Sequence, residues 1–251
     1  DAVADFSTLD ITAARTVNLG ASWTVGSLLF ADATTASNNW TLANGTGGPW
    51  LLTLATTTGT PTIQVMNQTT TISAALAGTQ GFAKTGAGTL TLTGTNTFTG
   101  GITLAAGVLN FGVNALGTNL VTFTGSATLG WNGTNAIDLS TQIKIEDGVT
   151  ATLATGANNV TFASSLQTGA TATASVTKTG GGTLTFTAVN TYTGTTRVNG
   201  GRIVLTGGDD RLAPASSILL GTGAASGIVQ LGDASTASSQ TIKSITPAGS
   251  G

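Results

Sequence analysis

Chemistry on a polysaccharide needs paired carboxylates, or a base set beside Arg or Lys. The acidic residues that lie close together are Glu146-Asp147, Asp209-Asp210 and the looser set Asp1, Asp5 and Asp10. Glu146-Asp147 runs into Gly148, and Asp209-Asp210-Arg211 follows Gly207-Gly208. Glycine beside short polar residues marks a turn, so both groups read as charged turns and not as acid–base pairs. The chain has no His and no Cys. That excludes Ser/His and Cys/His nucleophile systems, thiolate zinc sites and a disulfide framework. Asp209 and Asp210 alone fall short of the larger oxygen set that calcium takes. No catalytic, cofactor-binding or metal-ligating residue is assigned, and no cofactor is expected.

Other residues that could carry a function have plain structural readings. Lys84 and Lys178 hold the same position in two copies of one phrase. Each reads as a solvated residue flanking a turn, with a polar ladder or a corner salt bridge as the alternative. Arg197 and Arg202 stand where the first copy has Thr103 and Val108, and are expected to face solvent or a neighbouring subunit. Trp23, Trp40 and Trp50 crowd the first fifth of the chain, with Trp131 apart. Exposed aromatics on a β-face can bind sugars, but these four read as core or as the cover of an open end.

The elements that must position these residues follow from composition and repetition. The chain has 251 residues, 7% of them charged, with 36 Gly, a net charge of −2 and about a fifth Thr. A typical soluble domain is roughly 25% charged. Eight scattered Lys and Arg do not build the basic face that nucleic acid requires, and no stretch is long and apolar enough for a membrane helix. No nucleic-acid partner and no direct membrane insertion are therefore expected. The start lacks a signal-peptide pattern, so the sequence reads as a mature or excised piece of something longer.

Residues 84–100 read KTGAGTLTLTGTNTFTG, and residues 178–194 read KTGGGTLTFTAVNTYTG, an offset of 94. Aligned without gaps, Lys84, Gly86, Gly88, Leu90, Leu92, Asn96, Phe98 and Gly100 meet Lys178, Gly180, Gly182, Leu184, Phe186, Asn190, Tyr192 and Gly194. The likeness covers 84–111 and 178–205 inside a superrepeat of about 94 residues. Within it the pattern has period two. In Thr89–Thr93, Leu90 and Leu92 face one way and the three Thr the other, as in a half-buried strand. Gly86, Gly88, Asn96 and Gly100 supply turn signals.

Short strands and tight turns allow tandem antiparallel sandwiches or a parallel β-solenoid. A repeat that returns like residues to like places favours the solenoid, because its turns stack. At roughly 20 residues per turn, the chain makes roughly a dozen turns. The expected organisation is one continuous solenoid over 1–251, with an N-terminal cap within 1–50 and a linker or truncated unit at 245–251. The Thr-x-Thr stretches raise an ice-binding face. They recur with the 94-residue period rather than on every turn, which speaks against it.

KTGAGTLTLTGTNTFTGGITLAAGVL and KTGGGTLTFTAVNTYTGTTRVNGGRI closely resemble the autotransporter-associated β-strand repeat, also called the passenger-associated transport repeat. The second copy departs at Ala188, where the pattern wants Gly. The resemblance implies a right-handed parallel β-helix at the surface of, or released from, a Gram-negative-type bacterium. It also implies a repeat that assists folding during outer-membrane passage. It names no catalytic residue. The expected function is a non-enzymatic stalk or a self-assembling fibre or sheath subunit, whose main partner is itself. The alternative is an adhesin that holds surface glycans.

Overall fold

The computed structural model describes residues 1–32, 38–221, 227–235 and 237–247. Among them every regular element is a β-strand, and every strand pairing is parallel (for example Val3–Phe6 on Ser27–Phe30, and Thr89–Leu92 on Val108–Phe111). The expected solenoid is therefore present, and the antiparallel sandwich is ruled out. The chain divides into two compact units, residues 1–121 and 122–251. They hold about ten turns between them, in keeping with the expected rough dozen. Turn lengths differ along the chain. Val3 pairs with Ser27 and Ser27 with Thr62, so those two turns take 24 and 35 residues. A turn of the repeat itself takes 20, from Phe82 to Ile102.

In the first unit three sheets build the wall. The first stacks Val3–Phe6, Ser27–Phe30, Thr62–Val65, Phe82–Thr85 and Ile102–Leu104. The second stacks Arg15–Leu19, Trp40–Asn44, Thr69–Ile72, Thr89–Leu92 and Val108–Phe111. The third is shorter, with Trp23–Val25, Leu51–Leu54 and Ala75–Ala77. Register puts like on like. The inward column of the second sheet runs Val17, Leu42, Ile72, Leu92, Phe111, and Ile72 and Leu92 are wholly buried. Alternation along each strand sends Leu90 and Leu92 into the tube and Thr89 and Thr91 outward. The strands Val3–Phe6, Arg15–Leu19, Trp23–Val25, Ser27–Phe30 and Trp40–Asn44 lie within 1–50.

In the second unit one sheet stacks Ala127–Trp131, Thr150–Ala154, Ser175–Thr179, Thr195–Val198, Ser217–Leu220 and Ser244–Pro247. Another stacks Val160–Phe162, Thr183–Phe186, Gly201–Leu205 and Gly227–Leu231. Leu184 and Phe186 are wholly buried, and Phe162 and Phe186 meet at 5.8 Å between ring centres. Of the segment 245–251, residues 245–247 belong to the strand Ser244–Pro247, and 248–251 lie outside the described residues.

Stacked backbones come so close at the turns that side chains are excluded. A Cβ on Gly182 would sit 2.0 Å from the Asn158 carbonyl oxygen of the previous turn, while a Cβ on Gly181 would meet nothing within 4 Å. Neighbouring glycines thus differ in what they must do. Gly181→Ala should leave the urea midpoint nearly unchanged, within about 0.5 kcal/mol. Gly182→Ala should cost about 1–3 kcal/mol by overpacking. Equal effects of the two substitutions would contradict the stacking account.

Candidate functional site

The repeat phrase folds into the same corner twice. In the strand Phe82–Thr85, Phe82 points inward and Ala83 outward, so Lys84 points inward again. It lies in register between Ile63 and Leu104, in an otherwise apolar column. Its side chain is wholly buried. The ammonium Nζ turns to the corner and donates to the carbonyl oxygens of Thr85 at 2.9 Å, Gly86 at 2.9 Å and Ala106 at 3.2 Å. Lys178 lies between Leu153 and Val198 and donates to Thr179 at 2.9 Å, Gly180 at 2.7 Å and Gly200 at 3.2 Å. The expectation of a solvated lysine is overturned. Strand parity places both lysines inside, and three corner carbonyls use all three ammonium protons.

Two acceptors of each lysine lie in its own corner and the third in the corner of the following turn. The ammonium therefore ties successive turns together without an acidic partner. Gly86, with φ +75, makes that corner. A Cβ there would sit 2.2 Å from the Val65 carbonyl oxygen, and one on Gly180 would sit 2.6 Å from Gly156 N and O. Gly88, Gly100 and Gly194 are equally crowded, at 2.6 Å from Gln68 O, 2.1 Å from Gly81 N and 2.2 Å from Ala174 O.

A second staple comes from the asparagine of the phrase. Asn96 Oδ1 accepts from Leu76 N of the previous turn at 2.8 Å, and Nδ2 donates to Ala115 O of the next at 2.7 Å. Asn190 is wholly buried. It accepts from Leu166 N at 2.9 Å and donates to Ala188 O at 3.2 Å and Arg211 O at 3.4 Å. Read from sequence, Asn96 is a turn signal. In the fold one side chain bridges three turns. An amide is suited to this because it carries an acceptor and a donor on one short stem.

The aromatic position has two solutions. Phe98 packs edge-on against Phe82 at 5.5 Å. Tyr192 is wholly buried, and its hydroxyl pairs with Thr196 Oγ1 at 2.8 Å. The first copy has Ile102 where the second has Thr196, so Phe with Ile replaces Tyr with Thr as a matched pair. Burial pushes the Tyr192 phenol well above its ordinary value.

The acidic residues also serve the stack. Asp147 Oδ2 accepts from Thr171 N at 2.9 Å and Oδ1 from Thr173 N at 3.1 Å, which holds its carboxyl below the usual range. Asp209 accepts from Ser239 N and Asp210 from Thr241 N, both at 2.6 Å. Asp138 accepts from Ser140 N and Ala163 N. Glu146 pairs with Lys144 at 2.7 Å on the surface. Arg211 donates to the carbonyls of Thr187, Gly207 and Asp209. Among the described residues no three acidic side chains gather as a metal ligand set. Arg202 is exposed and donates to Gln230 Oε1 at 2.7 Å; Arg197 occupies an outward position and is half-buried. Trp40 and Trp131 are buried, each with its indole N–H on a backbone carbonyl. Trp50 is half-buried, and Trp23 is 59% exposed.

Burial also lowers both lysines from 10.5 to about 8. Between those values the unfolded chain holds more protons than the folded one, so stability rises with pH. Above about pH 10 the Tyr192 phenol ionises only on unfolding and opposes the rise. The urea midpoint should therefore climb from pH 8 to about pH 10, and a Lys84→Met/Lys178→Met chain should be flat there; an equal climb in that chain would remove the lysines as its cause. Tyr192→Phe should cost about 1–2 kcal/mol by orphaning the Thr196 hydroxyl. Adding Thr196→Ile should recover most of that loss, and simple additivity of the two changes in the urea midpoint would contradict the pairing.

The family described as Passenger-associated-transport-repeat matches at residues 82–111 and 176–205. Its two matched spans contain both lysine corners, both asparagine staples and both aromatic positions. Over 102 residues the chain is 39% identical to "Adhesin BmaC autotransporter" of Brucella suis biovar 1 (strain 1330). That stretch covers 41% of this chain and 3% of the adhesin. No solved structure matches the chain. The chain is thus an all-β solenoid that carries two copies of the passenger-associated transport repeat.

Proposed function

We propose that this chain is a structural, non-enzymatic stalk segment of a bacterial surface passenger, displayed at the cell surface or beyond it by a Gram-negative-type bacterium. The observation that carries the reading is the staple. Lys84 with Asn96, and Lys178 with Asn190, spend their buried polar atoms joining successive turns, and Asp147, Asp209 and Asp210 do the same from outside. Residues so engaged serve length and rigidity, and the similarity to an autotransporter adhesin agrees with display at a surface.

The finer part of the proposal is self-assembly. Phe6, Val17 and Trp23 line an apolar hollow in the first unit, and Val3 is 61% exposed beside it. Ile218, Leu220, Val229 and Leu231 line another in the second unit, where Ile245 is 62% exposed. Strand edges lined by apolar side chains are templates for further strands, and copies would associate through them. Negative-stain microscopy over a concentration series should show rods that lengthen with concentration; isolated particles of one size throughout would remove the assembly claim.

A second reading, adhesion to surface glycans, is favoured by the adhesin similarity and by the exposed ring of Trp23. A glycan array should then show binding that Trp23→Ala abolishes. An empty array, or one unchanged by the substitution, would dispose of that reading.

A further inference from the structure

The outward face of the second sheet in the first unit is a lattice of free hydroxyls. Parallel register stacks Thr41, Thr71 and Thr91 in one column on consecutive turns. Thr69 and Thr89 stack beside them, and Thr93 extends the row of Thr89 and Thr91. The turns are ~4.8 Å apart, and alternate residues along a strand about 6.6 Å apart. The sequence alone argued against such a lattice because the Thr-x-Thr phrase returns only every 94 residues. The fold overturns that argument, since a different sequence, Thr69-Thr70-Thr71, supplies the rank below.

Three further observations separate this face from ordinary polar surface. None of the six threonine hydroxyls has a hydrogen-bond partner among the described residues. Thr93 is exposed and the other five are half-buried, so their outer atoms reach solvent. The strands Trp40–Asn44, Thr69–Ile72, Thr89–Leu92 and Val108–Phe111 contain no charged residue, and Trp40 and Phe111 point inward. A sugar is normally gripped by a few converging polar groups and an aromatic or apolar wall. This face offers no aromatic platform and no carboxylate. Each lattice point holds one hydroxyl and one methyl, fixed by a rigid backbone. Such points can order water in a repeating layer at little further cost in entropy.

We propose that this face binds crystalline water, which makes the chain an ice-adhering surface segment. The partner is uncharged, periodic in two directions and rich in hydrogen bonds, as the face is. Arg15, at the start of the first strand of this sheet, lies off the six-threonine patch.

The test uses the purified chain in ice-affinity partitioning and in a recrystallisation assay on a frozen sucrose film. The unmodified chain should enter growing ice and keep crystals small. Thr71→Lys with Thr91→Lys should lose both effects at unchanged circular dichroism, while Thr103→Lys, on the first sheet, should keep them. If the lysine pair disturbs the fold, Thr71→Val with Thr91→Val keeps the shape, removes two hydroxyls and should weaken both effects. Exclusion of the unmodified chain from ice would overturn the proposal. So would full activity in a folded Thr71/Thr91 variant, or binding to a neutral polysaccharide with none to ice.

Discussion

Every feature of the chain answers one constraint: parallel turns lie a single strand spacing apart, and each must satisfy its neighbours above and below. At the flat walls the ladder hydrogen bonds do this. At the corners the backbone bends out of the ladder and leaves carbonyls with no strand partner. Burying such a group unpaired costs about 1–3 kcal/mol. The phrase that begins at Lys84 closes this gap with a long inward side chain whose three protons match three carbonyls. The glycines around it keep the corners close enough for that reach.

This geometry explains the sparse charge. A stack of neutral turns has no strong Coulombic repulsion to balance, and several of the ions it contains are used on backbone groups. Lys84, Lys178 and Arg211 donate to carbonyls, and Asp138, Asp147, Asp209 and Asp210 accept from amides. The lysine contacts are partly shielded from solvent, so salt screens them less than exposed ion pairs. Only Lys144 with Glu146 forms an ion pair among the described residues, and it lies on the surface.

Much of the fold was legible in the alternation of Leu90 and Leu92 with threonine, and in the return of the phrase at Lys178. What misled was residue type taken without position. Lysine at a turn suggests solvent, yet Phe82 and Lys84 share the inward parity, as do Val176 and Lys178. Following parity through the lysine would have placed it inside. Asn96 reads as a turn former because the sequence cannot show which strands lie above and below it. The threonine lattice was hidden for the same reason: its rows come from unlike stretches of sequence that only the register brings side by side.

The matched pairs Phe98 with Ile102 and Tyr192 with Thr196 bear on how such a chain can lengthen. The members of the second pair are four residues apart in sequence, and the first pair has the same spacing. Duplication or unequal exchange between copies almost always moves both members together, because few breakpoints fall between them. A genome can then add or delete a whole superrepeat without producing the mismatched combination. Repeat number becomes a quantity that recombination can vary, while each new copy arrives with this pair already complementary.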